Sequence, residues 1–401
     1  MKTILVLPGS YWQVELVRKI KQMGHRVLIV DPHTDAPCYE FSDGHLEADI
    51  FDTKRVTEYA VANKIDAVMS DQCDIAMPVI AALGEKLGLS VMSPETARLF
   101  TSKFMMREFC RVHGLNFPEY RLCRTLQEVT EFLHELGRPV IIKPLDSNAS
   151  HGVFRISTDE DAAEHFDETM SFSRREKCIV AERYIDGTEF TIDGVKTPSA
   201  HYTLAVSEKH HYSHNINIAD ELRFSHYNPK YDYEALKHAN DEFIMQSGLT
   251  FGFTHSEYKI EDGKFYLIET AARGGGNMIS SLITQCLSGY DTYKYLVECA
   301  LGNVHDEDFS EKETYRERAA VLKFFDVRGK GGKVKAVHGL EVLEGEPDVK
   351  KYMLNFRTGD VVGDCISDSA RIGFYVACSE NMRQLEGVMK KIDDAFRIET
   401  E

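Results

Sequence analysis

Two glutamates on neighbouring predicted strands carry the strongest chemical signal in this 401-residue sequence. Glu257 and Glu269 lie in two largely apolar segments that are joined by a turn around Asp262 and Gly263. In a hairpin centred on that turn, the two carboxylates lie near each other across the ladder. Adjacent carboxylates repel unless a hard divalent cation lies between them, an arrangement that suits Mg²⁺ bound to nucleotide phosphates. The alternative is a solvated acidic hairpin.

An arginine and three glycines follow the second glutamate. Arg273 stands four residues after Glu269 and directly precedes Gly274, Gly275 and Gly276. A fixed guanidinium can stabilise charge at a reacting group, and glycines allow the backbone to approach a substrate closely. A solvated acidic hairpin would explain the glutamates but not this segment.

A lysine at the end of an apolar strand predicts contact with phosphate. Lys143 ends the segment that begins at Pro139, and a small, polar loop continues to Gly152. Backbone N–H groups of such a loop can fold over a phosphate beside the ammonium. A surface lysine before an ordinary turn is the alternative.

A further strand suits a purine nucleoside. It ends in residues 182–185, Glu-Arg-Tyr-Ile, and Glu189 follows beyond a glycine turn. Backbone groups at the strand end can bind the adenine edge, and the carboxylate can accept hydrogen bonds from ribose hydroxyls. The alternative is a strand, a turn and a solvated acid.

These segments lie in a chain that alternates short apolar runs with helical patterns. Over residues 1–95 the alternation predicts a parallel sheet with right-handed crossovers. The first strand-to-helix turn has a single glycine, Gly9, so the glycine fingerprint of a dinucleotide site is absent. The predicted strands there are 3–7, 27–31 and 67–70, and the predicted helices are 14–23 and 56–63.

The pattern of the remaining chain predicts an α+β architecture. We predict a helix over 95–113, a central region that continues to about residue 305, and a C-terminal region over 306–401. The central strands are expected at 139–143, 178–184, 190–195, 201–207, 253–260 and 264–270, with helices at 159–170 and 233–247. The C-terminal strands are expected near 319–325, 334–340 and 372–378, before a closing helix over 382–396.

Composition excludes several classes of protein. A net charge of −17 argues against a broad nucleic-acid or membrane interface, because it repels phosphate backbones and anionic lipids. Nine cysteines without a C-x-x-C pair indicate reduced thiols. No apolar run approaches the ~18 residues of a membrane span, and the apolar stretch at the N-terminus is too short for a signal peptide. We therefore expect a cytoplasmic protein.

Taken in order, the motifs resemble the ATP-grasp superfamily, in the branch with biotin carboxylase, carbamoyl-phosphate synthetase and the amino-acid ligases. The resemblance covers nearly the whole chain. It implies an α/β and α+β architecture with a pre-ATP-grasp domain over 1–95, an ATP-grasp domain over 96–305 and a small C-terminal domain over 306–401. A lid over roughly 115–185 would close over ATP.

The resemblance also implies roles for individual residues. Glu257 and Glu269 would bind Mg²⁺ or Mn²⁺, and Arg273 would stabilise an acyl phosphate. The residues implied in ATP binding are Lys103, Lys143, Ser150, His151, Gly152, Glu182, Arg183, Tyr184, Ile185 and Glu189. The candidates for substrate contact are His214, Asn217, Arg223, Gly275, Gly276 and Asn277.

The chain departs from the family pattern at two points. Many members have Asn where this chain has Ala271, two residues after the second metal carboxylate, so one oxygen ligand is missing. The loop after Lys143 has one glycine where others have several. These departures weaken the expected second metal site and the phosphate contacts of the loop.

The implied reaction is ATP-dependent formation of an amide or peptide bond from a small carboxylate and an amine, with release of ADP and phosphate. The alternatives are a carboxylase or carbamoyl-phosphate-type enzyme that activates bicarbonate, and a nucleotide-binding module without turnover. Dimers are common in this branch, so a homodimer is one oligomeric state that the resemblance suggests.

Overall fold

The computed structural model describes residues 1–145, 151–173, 177–327 and 329–401, and only the backbone of Asn217. The N-terminal segment forms a four-stranded parallel sheet in the order β3-β2-β1-β4. Strands β1 and β2 are almost wholly buried, as in parallel sheets covered by helices on both faces. The elements are β1 (Thr3–Val6), α1 (Val14–Gln22), β2 (Arg26–Asp31), β3 (Gly44–Glu47), α2 (Thr53–Ala62), β4 (Ala67–Met69) and α3 (Met77–Leu87).

The helix predicted over 95–113 is two helices, α4 (Pro94–Leu99) and α5 (Lys103–His113). The single-helix prediction was wrong because Ser102 adopts an extended conformation and its hydroxyl accepts a hydrogen bond from the Met105 N–H, so a new helix begins there. This break makes Lys103 the first residue of α5.

The predicted lid segment forms a sheet of its own, in the order β5-β8-β6-β7 with antiparallel pairing. It encloses a separate hydrophobic core, to which both of its helices contribute. Each helix begins at a threonine in a capping box, Thr125 with Glu128 and Thr158 with Asp161. The elements are β5 (Tyr120–Cys123), α6 (Leu126–Leu136), β6 (Val140–Pro144), β7 (Phe154–Ile156), α7 (Asp159–Ser171) and β8 (Ile179–Arg183).

The rest of the chain contributes the strands and helices that follow. The central elements are β9 (Glu189–Lys196), β10 (His201–Tyr212), β11 (Asn215–Ser225), α8 (Tyr233–Gln246), β12 (Gly252–Glu261), β13 (Lys264–Ala271), a π-helix (Ile279–Ile283), α9 (Thr284–Ser288) and α10 (Thr292–Ala300). The C-terminal elements are β14 (Ala319–Phe324), β15 (Gly332–His338), α11 (Leu340–Gly345), β16 (Val349–Leu354), β17 (Val361–Val362), β18 (Gly373–Ser379), α12 (Met382–Ala395) and β19 (Arg397–Thr400).

An eight-stranded sheet in the order β13-β12-β9-β10-β11-β14-β18-β16 joins strands of the central and C-terminal elements. Residues 221–225 of β11 pair with residues 319–323 of β14, so this sheet crosses the predicted boundary at residue 305. Strands β15, β17 and β19 form a small separate sheet. Within the described residues, no helix is both long and apolar enough to cross a membrane.

Candidate active site

The two glutamates that sequence analysis singled out are partners in the β12–β13 ladder. Glu257 lies directly opposite Glu269, and a bulge interrupts the register immediately after Glu257. Both side chains line two cavities at once, and Glu189 at the start of β9 does the same. Three carboxylates therefore form the common wall of two neighbouring cavities.

The smaller cavity, of about 150 Å³, lies between the four-stranded sheet β5-β8-β6-β7 and the eight-stranded sheet. It contains most of the residues that the resemblance implies in ATP binding, together with apolar side chains of both sheets. Its lining includes Lys103, Ile141, Lys143, His151, Val153, Glu182, Arg183, Tyr184, Ile185, Ile216, Lys259 and Ile268.

The larger cavity, of about 310 Å³, lies on the other side of the three carboxylates. Its volume is near the lower end of the range of about 300–1,000 Å³ that is usual for small-molecule sites. Besides the shared acids it is lined by Asp74, Thr191, Lys209, His211, Ala219, Leu222, His255, Ala271, Arg273, Gly276, Asn277, Ile279, Leu322, Phe324, Asp368 and Arg371.

Two lysines compensate the charge of the common wall. The ammonium of Lys209 lies 2.6 Å from Glu189 Oε1 and 2.7 Å from Glu257 Oε1. Lys103, at the start of α5, donates to Glu269 Oε1 at 2.8 Å. Burial opposes ionisation of both Glu189 and Glu257, yet Lys209 lowers the pKa of Glu189 to about 2 and that of Glu257 well below its ordinary value. These carboxylates are therefore ionised at neutral pH.

A buried cluster of two cations and one anion lies where β6 and β8 line the smaller cavity. Lys143 Nζ is 2.7 Å from Glu182 Oε2, and Arg107 forms a bidentate pair with the same carboxylate at 2.9 and 3.1 Å. All three side chains are nearly inaccessible. Burial lowers the pKa of Lys143 despite Glu182, whereas the two cations outweigh burial and lower the pKa of Glu182.

Arg273 is held by a residue of the N-terminal segment. Its Nε and Nη2 atoms donate to the two carboxylate oxygens of Asp74 at 2.8 and 2.7 Å, and Nη1 donates to the Gly274 carbonyl at 3.0 Å. Burial alone would lower the pKa of Arg273, but Asp74 raises it above its ordinary value. The guanidinium is thus a permanent, oriented cation that lines the larger cavity.

A second aspartate of the N-terminal segment holds the glycine loop. The fully buried carboxylate of Asp71 accepts hydrogen bonds from the Gly274 N–H at 3.2 Å, Ser280 Oγ at 2.7 Å and Tyr293 Oη at 2.5 Å. Burial raises the pKa of Asp71. The loop after Arg273 is therefore fixed to the first sheet of the molecule.

The glycine at position 275 is required by packing. A Cβ atom there would lie 2.5 Å from Asp193 Oδ1 and 2.9 Å from His255 Nδ1. These two side chains form a buried pair at 2.8 Å, and Oδ2 of Asp193 has no hydrogen-bond partner within the described part of the chain. Burial alone would lower the pKa of His255, but Asp193 raises it to about 9. At Gly276, by contrast, a Cβ atom would have no atom of the described residues within 4 Å.

The other residues implied in nucleotide binding have varied surroundings. Gly152 has φ +70°, and a Cβ atom there would lie 2.7 Å from the Phe172 ring, so only glycine fits. Arg183 forms ion pairs with Glu119 and Glu261, away from Glu182. The ATP-binding prediction for Ser150 lies outside the described residues.

The candidates for substrate contact divide into two groups. Gly276 and Asn277 line the larger cavity, whereas Gly275 packs beneath it. His214 and Arg223 are not among the lining residues: His214 contacts the Cys365 carbonyl, and Arg223 pairs with Glu221. The side chain of Asn217 lies outside the described part of the chain.

Sequence reasoning did not identify Arg107, Lys209, Asp71, Asp74 or Arg371. Asp71 and Asp74 lie two and five residues after the end of β4, and sites often form at the carboxyl ends of parallel strands, so this signal was present in the sequence. The other three have no local signature, because sheet pairing or helix packing brings them to the site.

The donor set of the common wall fits a hard divalent cation. Glu257 and Glu269 offer carboxylate oxygens, and an ammonium group already lies against each of them, which shows that this wall attracts cations. Among the described residues, no cluster of three or more His, Cys, Asp or Glu side chains has the arrangement of a metal site. A metal here would take its remaining ligands from phosphates and water.

Family models match three consecutive parts of the chain. Residues 1–101 match the ribonucleotide synthetase preATP-grasp domain, residues 136–281 the ATP-grasp domain, and residues 327–401 the L-amino acid ligase C-terminal domain 2. The chain has the ATP-grasp fold. The resemblance inferred from the motifs and the predicted fold class are thereby confirmed.

Known structures share the fold over the full length of this ATP-grasp chain. The L-amino acid ligase from Bacillus licheniformis superimposes with a TM-score of 0.86 at 21% identity, and covers 100% of this chain and 99% of its own. The N5-carboxyaminoimidazole ribonucleotide synthetase from Thermotoga maritima gives 0.73 at 18% identity, with 100% of both chains covered. At these identities the likeness establishes the fold.

Two curated relatives each match about half of the chain. A formate-dependent phosphoribosylglycinamide formyltransferase of Chlorobaculum tepidum is 27% identical over 203 residues, which are 48% of this chain and 50% of the relative. A phosphoribosylamine–glycine ligase of Pyrococcus furiosus is 26% identical over 201 residues, 48% and 44% respectively. This ATP-grasp chain therefore spans about half the length of these curated relatives.

Proposed function

We propose that the protein is an ATP-dependent carboxylate–amine ligase, which forms an amide or peptide bond through an acyl phosphate and releases ADP and phosphate. The observation that carries the proposal is the common wall of three carboxylates between two cavities. ATP would occupy the smaller cavity with its terminal phosphate at this wall, and the acid would enter from the larger one.

The smaller cavity offers each group that a nucleotide needs. Lys143 and Lys103 would neutralise phosphate charge, and the strand end at 182–185 would hold adenine. Because Lys143 shares Glu182 with Arg107, the buried cluster has an excess of positive charge that faces the cavity. Glu189 would accept from the ribose hydroxyls.

Glu257 and Glu269 would hold Mg²⁺ or Mn²⁺, which supplies positive charge to the terminal phosphates when bound. Since Ala271 offers no side-chain oxygen, Glu269 would carry more of the metal binding at the second position. The lysines that now pair with these acids would remain close enough to neutralise the phosphates themselves.

The larger cavity offers the groups that act on the acid. The acid's carboxylate oxygen would attack the γ-phosphorus, and ADP would leave. The Arg273 guanidinium, oriented by Asp74, would stabilise charge on the transferring phosphoryl group and then on the acyl phosphate. An amine would attack the acyl carbon and expel phosphate. The catalytic effect is positioning and electrostatics.

A pairwise screen tests the proposal. Carboxylic acids, with bicarbonate among them, are combined with amines, and ADP and the condensed product are measured together. We expect ADP release that requires both partners, and a loss of about 100-fold or more in kcat/KM for Arg273→Lys, since lysine cannot reproduce the bidentate geometry. ADP release with bicarbonate alone would indicate a carboxylase instead. No ADP with any combination would contradict the ligase.

A further inference from the structure

A third cavity, which we call the C-terminal cavity, lies apart from the two that meet at the common wall. Its volume is about 410 Å³, and residues of β10, β11, β14 and β18, the end of α12 and the start of β19 line it. Of its described lining residues, only Phe324 also lines the larger cavity, and none lines the smaller one. The aromatic part of the lining consists of Tyr212, Phe324, Phe325, Tyr375 and Phe396.

A β-bulge places the carboxylate of Asp220 in this lining. Residues 210 and 211 of β10 pair with residues 221 and 219 of β11, so Asp220 is the extra residue between them. Its Oδ1 atom is buried and has no hydrogen-bond partner among the described residues. Burial raises the pKa of this carboxyl group, and the adjacent Glu221 adds to the shift. The raised pKa indicates a buried carboxylate that lacks a counter-cation.

Two further oxygen-bearing groups lie close to Asp220. Tyr212 is only 3% exposed, and within the described part of the chain its buried hydroxyl has no hydrogen-bond partner. Burial raises the pKa of Tyr212, and the carboxylates of Asp326 and Asp220 act in the same direction, which shows that the three groups are neighbours. Asp326 forms no ion pair with any described residue. Unused acceptors are therefore concentrated at this end of the cavity.

The basic side chains of the lining do not compensate this acidic end. Lys323 is held by Asp393, with Nζ at 2.9 and 2.8 Å from the two carboxylate oxygens. Lys330 and Arg397 also line the cavity, but they are exposed to solvent, which screens their charge. The half-buried end beside Tyr212 is thus short of both positive charge and hydrogen-bond donors.

We propose that the C-terminal cavity binds a primary ammonium ion with an apolar body, of the arylalkylamine class. An ammonium group has three N–H donors, which Asp220, Asp326 and the Tyr212 hydroxyl can accept. The aromatic lining suits the apolar body and attracts the cation. A hard metal ion fits this lining less well, because it needs several oxygen ligands and the aromatic rings offer none. The inference is independent of the proposed ligase function, since this cavity lies outside the common wall.

Three probes of similar shape and different charge test the proposal. Phenethylammonium, phenethyl alcohol and hydrocinnamate are each titrated into the wild-type protein without ATP or Mg²⁺, and Kd is measured by ligand-observed NMR. We expect the ammonium ion to bind about 10-fold or more tightly than the alcohol, as for a hydrogen bond to a charged group. The carboxylate should bind more weakly than the alcohol.

Variants assign this preference to the cavity. Asp220→Asn keeps the size of the side chain and should raise Kd for phenethylammonium about 10-fold or more, while Kd for the alcohol stays unchanged. The same substitution should not lower Tm, because it removes a buried charge that has no counter-cation. Tyr212→Phe removes only a hydroxyl without a partner, and it should raise Kd by a smaller factor, about 3- to 10-fold.

Two control variants separate this site from other acidic groups. Asp394→Asn changes an exposed residue of the same lining, whose carboxylate pairs with Lys390, and should change Kd by less than about threefold. Glu257→Gln alters the common wall and should leave Kd for phenethylammonium unchanged.

Four results overturn the inference. Equal affinity for the ammonium ion and the alcohol would show that the cavity recognises only the apolar body. Tightest binding of hydrocinnamate would assign the cavity to anions held by Lys330 and Arg397. Weaker phenethylammonium binding in Glu257→Gln, with parental affinity in Asp220→Asn, would place the probe at the common wall. No binding of any probe at millimolar concentration would show that the cavity is not a site for this class of ligand.

Discussion

The cluster of Lys143, Arg107 and Glu182 predicts opposite consequences for two charge-removing substitutions. Lys143→Met leaves a complete bidentate pair between Arg107 and Glu182, so the free energy of unfolding should fall by no more than roughly 1–2 kcal/mol. Glu182→Gln leaves two buried cations without their carboxylate, which costs about 3–5 kcal/mol. At about 2–4 °C per kcal/mol for a domain of this size, that is a decrease in Tm of about 6–20 °C.

Nucleotide affinity should respond in the reverse order. Lys143→Met removes a charged hydrogen bond to phosphate, worth about 1.5–3 kcal/mol, so Kd for ATP should rise by roughly 10- to 150-fold. Thermal unfolding and isothermal titration measure the two effects. Lys390→Met, which breaks only an exposed pair with Asp394, sets the baseline for both. Equal Tm values for Lys143→Met and Glu182→Gln, or parental ATP affinity in Lys143→Met, would refute the reasoning.

Three further predictions concern the common wall and the loop beside it. Gly275→Ala should lower Tm, because overpacking of this kind costs about 1–3 kcal/mol. Gly276→Ala should leave Tm unchanged. Equal Tm values for the two variants would contradict the close packing described at position 275. In protein freed of divalent cations, the raised pKa of His255 gives stability that is fully present below pH 6.5 and is lost as pH rises through about 9. The Tm should therefore fall over this pH range, and it should fall less steeply in His255→Gln. An equally steep fall in His255→Gln would show that the pH dependence comes from another group. Glu257→Gln and Glu269→Gln should each raise the Mg²⁺ concentration needed for half-maximal activity, and an unchanged requirement would exclude that residue as a ligand.

The strands of the site could be predicted because their residues alternate or are uniformly apolar. Strand β12 was expected at 253–260 and found at Gly252–Glu261, and β13 was expected at 264–270 and found at Lys264–Ala271. The turn around Gly263 fixed their register, which is why Glu257 and Glu269 could be placed opposite each other. Strand β11 was missed, because Asn215–Ser225 is interrupted by acidic residues and its pairing with β10 is irregular.

Long-range partners could not be predicted. Nothing in the sequence near Lys143 indicates that Arg107 and Glu182 bury it. The local pattern predicted contact with phosphate, with a surface lysine before a turn as the alternative, and neither interpretation includes these two partners. Asp74 and Arg273 are 199 residues apart in the chain, and only the packing of the first sheet against the large one brings them together. The two cavities likewise depend on how separate sheets meet, which local patterns do not encode.

The central claim is transfer of the γ-phosphoryl group to a substrate carboxylate. Once the screen has identified an acid, it should be supplied with ¹⁸O in its carboxylate, and the released phosphate should be analysed by mass. The roles of Glu257, Glu269 and Arg273 predict one labelled oxygen in phosphate for each amide bond formed, with ADP as the other product. Label found in AMP, or unlabelled phosphate while the amide accumulates, would contradict the acyl-phosphate mechanism.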